Sequence, residues 1–191
     1  MLISNEIPWA WYVTRSSGFV GFALLYISIF LGLSIRIPFL HKIISPIYST
    51  KIHCWISLQA LLFAFIHGFA LFFDKFMNFS LAEIFVPFAS RYETNLVTLG
   101  ILGFYLMIIL VVTSYGHRLI SQKLWRVVHF LNIILYVIVL VHAFILGTDM
   151  KNPLVANIFI WANAFLVFLM LTNIEIRIYE AYKRKFDNTQ V

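Results

Sequence analysis

The chain has 191 residues, of which 62% are hydrophobic and only 12% are charged, and its mean hydropathy is +0.91. Because soluble domains are usually about half apolar, this composition excludes an ordinary soluble domain and predicts an integral membrane protein. The single cysteine, Cys54, excludes an internal disulfide and any zinc or iron–sulfur cluster built on cysteines of this chain.

Five apolar runs are long enough to cross a bilayer, which requires roughly 20 helical residues per crossing. The predicted spans are residues 16–35, 52–73, 95–115, 124–146 and 153–173, followed by a cytoplasmic tail, 174–191. We therefore expect one all-α membrane domain, a five-helix transmembrane bundle. The first span has no basic region before it and no small-residue cleavage site after it, so we expect it to be retained.

The formal charge of +6 is unevenly distributed between the two predicted sides of the membrane. Ten basic residues fall in alternate connections and in the tail: Arg36, Lys42, Lys51, Arg118, Lys123, Arg126, Arg177, Lys183, Arg184 and Lys185. Only four fall on the other side: Arg15, Lys75, Arg91 and Lys151. The positive-inside rule then predicts an outer N-terminus and a cytoplasmic C-terminus in the inner (plasma) membrane. We expect the basic tail to face anionic lipid of the bilayer, and we expect no nucleic-acid partner.

The first and third spans differ in the side chains that could line a binding site. The first contains Gly18, Gly21 and Gly32 among bulky residues, and small residues allow close approach of another helix or of a flat cofactor. The third has no ionisable group except Tyr105 and Tyr115, so we interpret it as scaffold.

The connections between spans contain a short apolar segment and two histidines. Residues 81–88 are apolar but too short to cross, which favours an interfacial or re-entrant segment that could cap a cofactor near the outer surface. His41 and His117 lie in cytoplasmic connections, where we expect solvated side chains.

The other four histidines lie inside two apolar spans, where an ionisable ring is costly and tends to mark a functional site. The second span carries His53 and His67, fourteen positions apart, and the fourth carries His129 and His142, thirteen positions apart. A helix rises about 1.5 Å per residue, so each helix has one histidine near each membrane face. Because both helices leave the cytoplasmic side, we expect His53 level with His129, and His67 level with His142.

Two imidazoles at one depth suit the two axial positions of heme iron, whereas zinc requires four ligands, or three and a water. We therefore predict heme between the second and fourth helices, with His53 and His129 on an inner heme and His67 and His142 on an outer one, about 20 Å apart. Thirteen residues at about 100° each miss the starting face by about 140°. Either the fourth helix bends, or the two macrocycles present different edges to it.

Two arginines are predicted to assist cofactor binding. Arg126 lies one turn before His129 at the cytoplasmic boundary, and Arg15 lies on the outer side. A guanidinium pairs well with carboxylates such as heme propionates. The alternative is that each arginine only extends its charged end to the membrane interface.

The histidine spacing, together with TRSSG at Thr14 to Gly18, LWRVVH at Leu124 to His129 and VHAFILGTD at Val141 to Asp149, resembles the ferric reductase-like transmembrane family. That family includes NADPH oxidases and the heme-binding membrane subunit of bacterial methionine sulfoxide reductase systems. The small size of the chain resembles the bacterial subunit most.

This resemblance implies two b-type hemes with the four intramembrane histidines as axial iron ligands. Electrons would come from a cytoplasmic flavin reductase or a membrane quinol, with FMN or quinone supplied through the partner. They would leave at the outer face to an oxidoreductase partner, ferric iron in a chelate, or oxygen. Family members commonly have six spans, and the larger reductases add a flavin and nicotinamide domain, so we expect this chain to be an electron-transfer subunit and not a self-sufficient enzyme. The alternative is a non-redox transporter or assembly subunit whose histidines relay protons or pair helices.

Overall fold

The computed structural model describes residues 9–35, 37–42 and 44–187, apart from the side chains of Pro38, His41 and residues 184–187. Eight α-helices occur in these ranges: α1 (Trp9–Ser34), α2 (Pro38–His41), α3 (Pro46–Ala70), α4 (Leu81–Phe85), α5 (Thr94–Tyr115), α6 (Gln122–Phe130), α7 (Asn132–Leu146) and α8 (Pro153–Asp187). Short 3-10 turns occur at Leu71–Phe73, His117–Leu119 and Thr148–Lys151. The described residues contain no β-strand, which confirms the all-α prediction.

Five helical stretches are long and apolar enough to cross a membrane: Trp9–Ser34, Pro46–Phe73, Thr94–Tyr115, Gln122–Leu146 and Pro153–Lys183. The prediction of five helices long and apolar enough to span a membrane is therefore confirmed for the described part of the chain. The last helix does not end with the predicted span but continues through the predicted tail to Asp187. Residues 188–191 of that tail lie outside the described ranges.

The chain divides into two compact units. The first comprises residues 1–25 and 54–147, and the second comprises residues 26–53 and 148–191. The interpretation of the whole chain as one domain stays a prediction.

In the first unit, α5 packs along α6 and α7. The contact with α7 is close at Gly103, where an added Cβ would lie 3.0 Å from Cγ2 of Val139. The short helix α4 occupies the predicted interfacial segment and packs against the start of α5 and the turn at Leu71–Phe73. It begins with a capping box, since the Ser80 hydroxyl accepts the Glu83 N–H and the Glu83 carboxylate accepts the Ser80 N–H.

In the second unit, a small apolar core contains Ile37, Leu40 and Leu169, with Phe30 and Leu33 packed against it. The Tyr26 hydroxyl donates to the carbonyl of Ala162 at 2.9 Å. This bond joins the C-terminal half of α1 to α8 and satisfies a polar atom within an apolar helix pair.

The fourth span is interrupted at Leu131, between α6 and α7. The Leu131 N–H donates to the carbonyl of Val128, three residues back, at 3.0 Å. Such a tight turn breaks the regular α-helical ladder. The interruption lies between His129 and His142. The thirteen-residue spacing of these histidines had left two alternatives open: a bend in the fourth helix, or two macrocycles that present different edges to it.

Candidate functional site

His67 is fixed by the first half of α1. Its Nδ1 lies 2.8 Å from the carbonyl oxygen of Thr14. The ring also packs on Gly18, where an added Cβ would stand 2.6 Å from Nδ1. Since a carbonyl only accepts hydrogen bonds, Nδ1 carries the hydrogen and Nε2 keeps its lone pair.

His142 is fixed in the same way by α5. Its Nδ1 lies 2.8 Å from the carbonyl oxygen of Leu96, and an added Cβ on Gly100 would stand 2.6 Å from Cε1 of the ring. Here too Nε2 is the nitrogen with a free lone pair. The sequence analysis interpreted the third span only as scaffold and therefore missed this contact with His142. The sequence signal that could have indicated it was Gly100.

The rings of His67 and His142 lie close together within the first unit. Their centroids are 6.3 Å apart, and their planes are nearly perpendicular, at 89°. A metal ion bound at about 2 Å by one nitrogen of each ring, with the two nitrogens on opposite sides of the metal, would set the centroids about 6 Å apart. The described structure thus brings together the two histidines that the sequence placed at one depth.

His53 lies in the second unit and contacts the second half of α1. Its Nδ1 lies 2.7 Å from the carbonyl oxygen of Ser28 and 3.1 Å from the Ser28 hydroxyl. An added Cβ on Gly32 would stand 3.4 Å from Cε1 of the ring. His53 therefore also carries its ring hydrogen on Nδ1.

These three histidines share one arrangement, which we call a carbonyl–glycine notch: a backbone carbonyl that accepts from Nδ1, and a glycine four residues later that the ring packs on. The notches are Thr14 with Gly18, Ser28 with Gly32, and Leu96 with Gly100. Ligating histidines commonly donate their second ring N–H to a carbonyl, which fixes the tautomer and the ring orientation. The notches therefore prepare three of the four histidines to bind a metal through Nε2.

His129, in the first unit, has a different environment. Its Nδ1 lies 3.5 Å from the Ser114 hydroxyl at the end of α5, and the Trp125 ring stacks on it with centroids 5.0 Å apart. The indole Nε1 of Trp125 is buried and has no hydrogen-bond partner among the described residues. The other such atom in the described ranges is Oγ1 of Thr14, the residue whose carbonyl binds His67.

Arg15 and Arg126 both have exposed side chains. The Arg15 guanidinium lies over the Trp11 ring, 4.9 Å from its centroid, and Nε of Arg126 donates to the Gln122 carbonyl at 3.3 Å. Arg15 directly follows Thr14, and Arg126 directly follows Trp125. Thr14 and Trp125 are the two residues whose buried side-chain donor has no hydrogen-bond partner among the described residues. The role of the two arginines in binding a cofactor stays a prediction.

Other metal-binding groups are scarce near these histidines. Within residues 9–35, 37–42 and 44–187, no three histidine, cysteine or acidic side chains form a cluster that could hold a metal ion. His117 is exposed, as expected for a connection, and the side chain of His41 lies outside the described residues. The closest grouping of histidine rings that the described residues show is the pair of His67 and His142.

The predicted outer connection is ordered by a carboxylate. The side chain of Glu83 is only 8% exposed and pairs with Nε of Arg91 at 3.1 Å. That guanidinium and the N–H and hydroxyl of Ser80 lower the pKa of Glu83 from 4.5 to about 2. The carboxylate thus holds residues 80–91 together around α4.

We expect this connection to lose stability in acid. Because folding lowers the Glu83 pKa, its contribution is complete above pH 4.5 and is lost as the pH falls from 4.5 to about 2. Melting temperatures of wild type and Glu83→Gln in detergent should diverge at pH 7 and converge toward pH 2. Glu175→Gln, which removes an exposed carboxylate of α8, serves as control. A gap between wild type and Glu83→Gln that does not change over this range would contradict the prediction.

The chain matches the family model described as ferric reductase like transmembrane component over residues 17–140, more than half of its length. The matched region includes His53, His67 and His129 and ends two residues before His142. Comparison with curated proteins found no match, and comparison with solved structures found none. The chain therefore belongs to the ferric reductase-like transmembrane family.

Proposed function

We propose that this protein is a heme b-containing transmembrane electron-transfer protein. His53 and His129 would be the axial ligands of an inner heme, and His67 and His142 those of an outer heme. Family membership indicates a role in membrane electron transfer. The observation that supports the assignment is the closeness of the His67 and His142 rings, whose centroids are 6.3 Å apart. In each ring, Nδ1 is bonded to a backbone carbonyl.

The donor set fits heme on three grounds. First, two neutral imidazoles per level match the two axial positions of a macrocycle that supplies its own four equatorial nitrogens. Second, the carbonyl bonds hold the rings of His53, His67 and His142 in the tautomer that would ligate through Nε2. Third, the orphaned donors of Thr14 and Trp125 lie beside His67 and His129, where a carboxylate such as a propionate would satisfy them.

The residues of this chain would bind, orient and shield the cofactors. The histidines would hold the iron, the notches would fix the ring planes, and the apolar helices would exclude water and so influence the reduction potential. Each bound heme would supply an iron that accepts and passes on one electron. Arg15 and Arg126 would neutralise propionates at the two membrane faces.

The direction of transfer follows from the predicted topology. With the N-terminus outside and the C-terminus in the cytoplasm of an inner-membrane protein, electrons would enter from a cytoplasmic flavin reductase or a membrane quinol. They would leave at the outer face to an oxidoreductase partner or to ferric iron. The particular likeness to the methionine sulfoxide reductase subunit stays a prediction.

Reconstituted vesicles test this function directly. Purified protein is inserted into vesicles with ferricyanide trapped inside, and dithionite is added outside. We expect the trapped ferricyanide to be reduced well above the rate in protein-free vesicles. A rate equal to that of protein-free vesicles, for heme-loaded protein, would contradict transmembrane electron transfer.

A further inference from the structure

We infer that Gly18, Gly32 and Gly100 are positioning residues for the heme ligands, an inference that rests on the proposed function. Each belongs to a carbonyl–glycine notch of the neighbouring helix, and each is approached by the ring of one predicted ligand. The notches would set both the tautomer and the plane of the ring before any cofactor binds.

The spacing within a notch has a physical reason. In an α-helix the carbonyl of one residue already accepts the N–H four residues later, and its second lone pair can accept one more donor. The side chain four residues later stands beside that carbonyl, so a glycine at this position lets an imidazole ring lie directly against the helix backbone while its Nδ1 bonds the oxygen. At Gly18 and Gly100, an added Cβ would lie 2.6 Å from a ring atom, which is inside van der Waals contact.

The two notches of the His67–His142 pair lie on different helices, α1 and α5. Each plane is therefore set independently, and the planes meet at 89°. When the two imidazole ligands of a low-spin ferric heme have perpendicular ring planes, its electron paramagnetic resonance spectrum is dominated by one large g value, whereas parallel ring planes give a rhombic three-line spectrum. We expect the heme bound by this pair to show the large-g signal.

The test compares Gly18→Ala and Gly100→Ala with Gly21→Ala. Gly21 lies one turn from Gly18 on the same helix, and its added Cβ would meet nothing nearer than 3.5 Å. We expect the first two variants to lose the large-g signal, through loss of about one heme per chain or a shift to a rhombic spectrum. Gly21→Ala should keep the wild-type spectrum. Wild-type spectra from Gly18→Ala and Gly100→Ala would overturn the inference.

Gly32→Ala provides an intermediate case. Its added Cβ would lie 3.4 Å from the His53 ring, a distance that a small ring movement can accommodate. We expect this variant to retain both hemes, with a smaller spectral shift than Gly100→Ala causes. A larger loss from Gly32→Ala than from Gly100→Ala would contradict the distance argument.

A double-mutant comparison needs no heme. The three atoms nearest to the added Cβ on Gly100 all belong to His142, so Gly100→Ala should lower the melting temperature in the wild-type background but not in His142→Ala. If Gly100→Ala lowered the melting temperature equally in both backgrounds, the inference that Gly100 positions the His142 ring would be wrong. Wild-type protein without heme would instead overturn the proposed function, so the two failures are distinguishable.

Discussion

Replacing His142 by alanine is expected to lower the heme content from two to one per chain while the helices remain inserted. The neighbouring rings of His142 and His67 are the predicted ligands of one heme. An iron that loses one of its two axial ligands in an apolar site loses much of its binding energy. The remaining heme should keep the spectrum of the other level. The measurement is a pyridine hemochrome assay on detergent-purified protein.

His117→Ala is the matched control, because His117 is an exposed histidine of a connection. It should retain the wild-type heme content. His67→Ala should reproduce the loss seen with His142→Ala, since the two rings serve the same level. Full heme content in His142→Ala would contradict its assignment as an axial ligand.

His53→Ala is expected to stop transmembrane electron transfer although one heme per chain remains. His53 and His129 would form the inner level, and removing the heme there would leave one redox centre near a single face of the membrane. Electron tunnelling would then have to cross most of the hydrocarbon thickness in one step. In the vesicle assay, reduction of trapped ferricyanide should fall to the rate of protein-free vesicles.

Cys54→Ala is the control for this variant, because Cys54 is the next residue along α3 and carries a free thiol. The hydroxyl of Tyr115 binds its backbone carbonyl, which the substitution leaves in place. Cys54→Ala should therefore transfer electrons at the wild-type rate. Continued transfer in a His53→Ala protein with one heme would show that the inner level is not part of the route.

The five apolar helices could be predicted from sequence because the length of an apolar run determines them directly. Runs such as 95–115 have no other stable environment than a bilayer. The pairing of His67 with His142 was also predictable, since helix rise and helix direction set the depth of each residue. The number of spans and the depth of each histidine both follow from the rise per residue within a helix.

The interruption at Leu131 could not be predicted, because no proline or glycine marks it. Its φ of −65° and ψ of −7° lie near 3-10 values, and such a local tightening is set by packing against neighbours. The sequence signalled only that a regular helix would misalign His129 and His142.

The partners of the histidines were also beyond the sequence. Gly18 and Gly32 were noted as small residues, but their pairing with His67 and His53 depends on the register between α1 and α3. The pairing of Leu96 and Gly100 with His142 likewise depends on the register between α5 and α7. Gly100 is visible in the sequence as a small residue, but any residue type can supply the backbone carbonyl that Leu96 provides. Contacts between helices are decided by packing geometry, which a single sequence does not specify.

We propose that the four intramembrane histidines hold two b-type hemes. The most direct test is the visible spectrum of the purified wild-type protein, oxidised and reduced with dithionite, combined with a count of heme per chain. We expect b-type spectra and two hemes per chain. A colourless protein after expression with sufficient heme would contradict it and would leave the four histidines as packing or proton-relay residues.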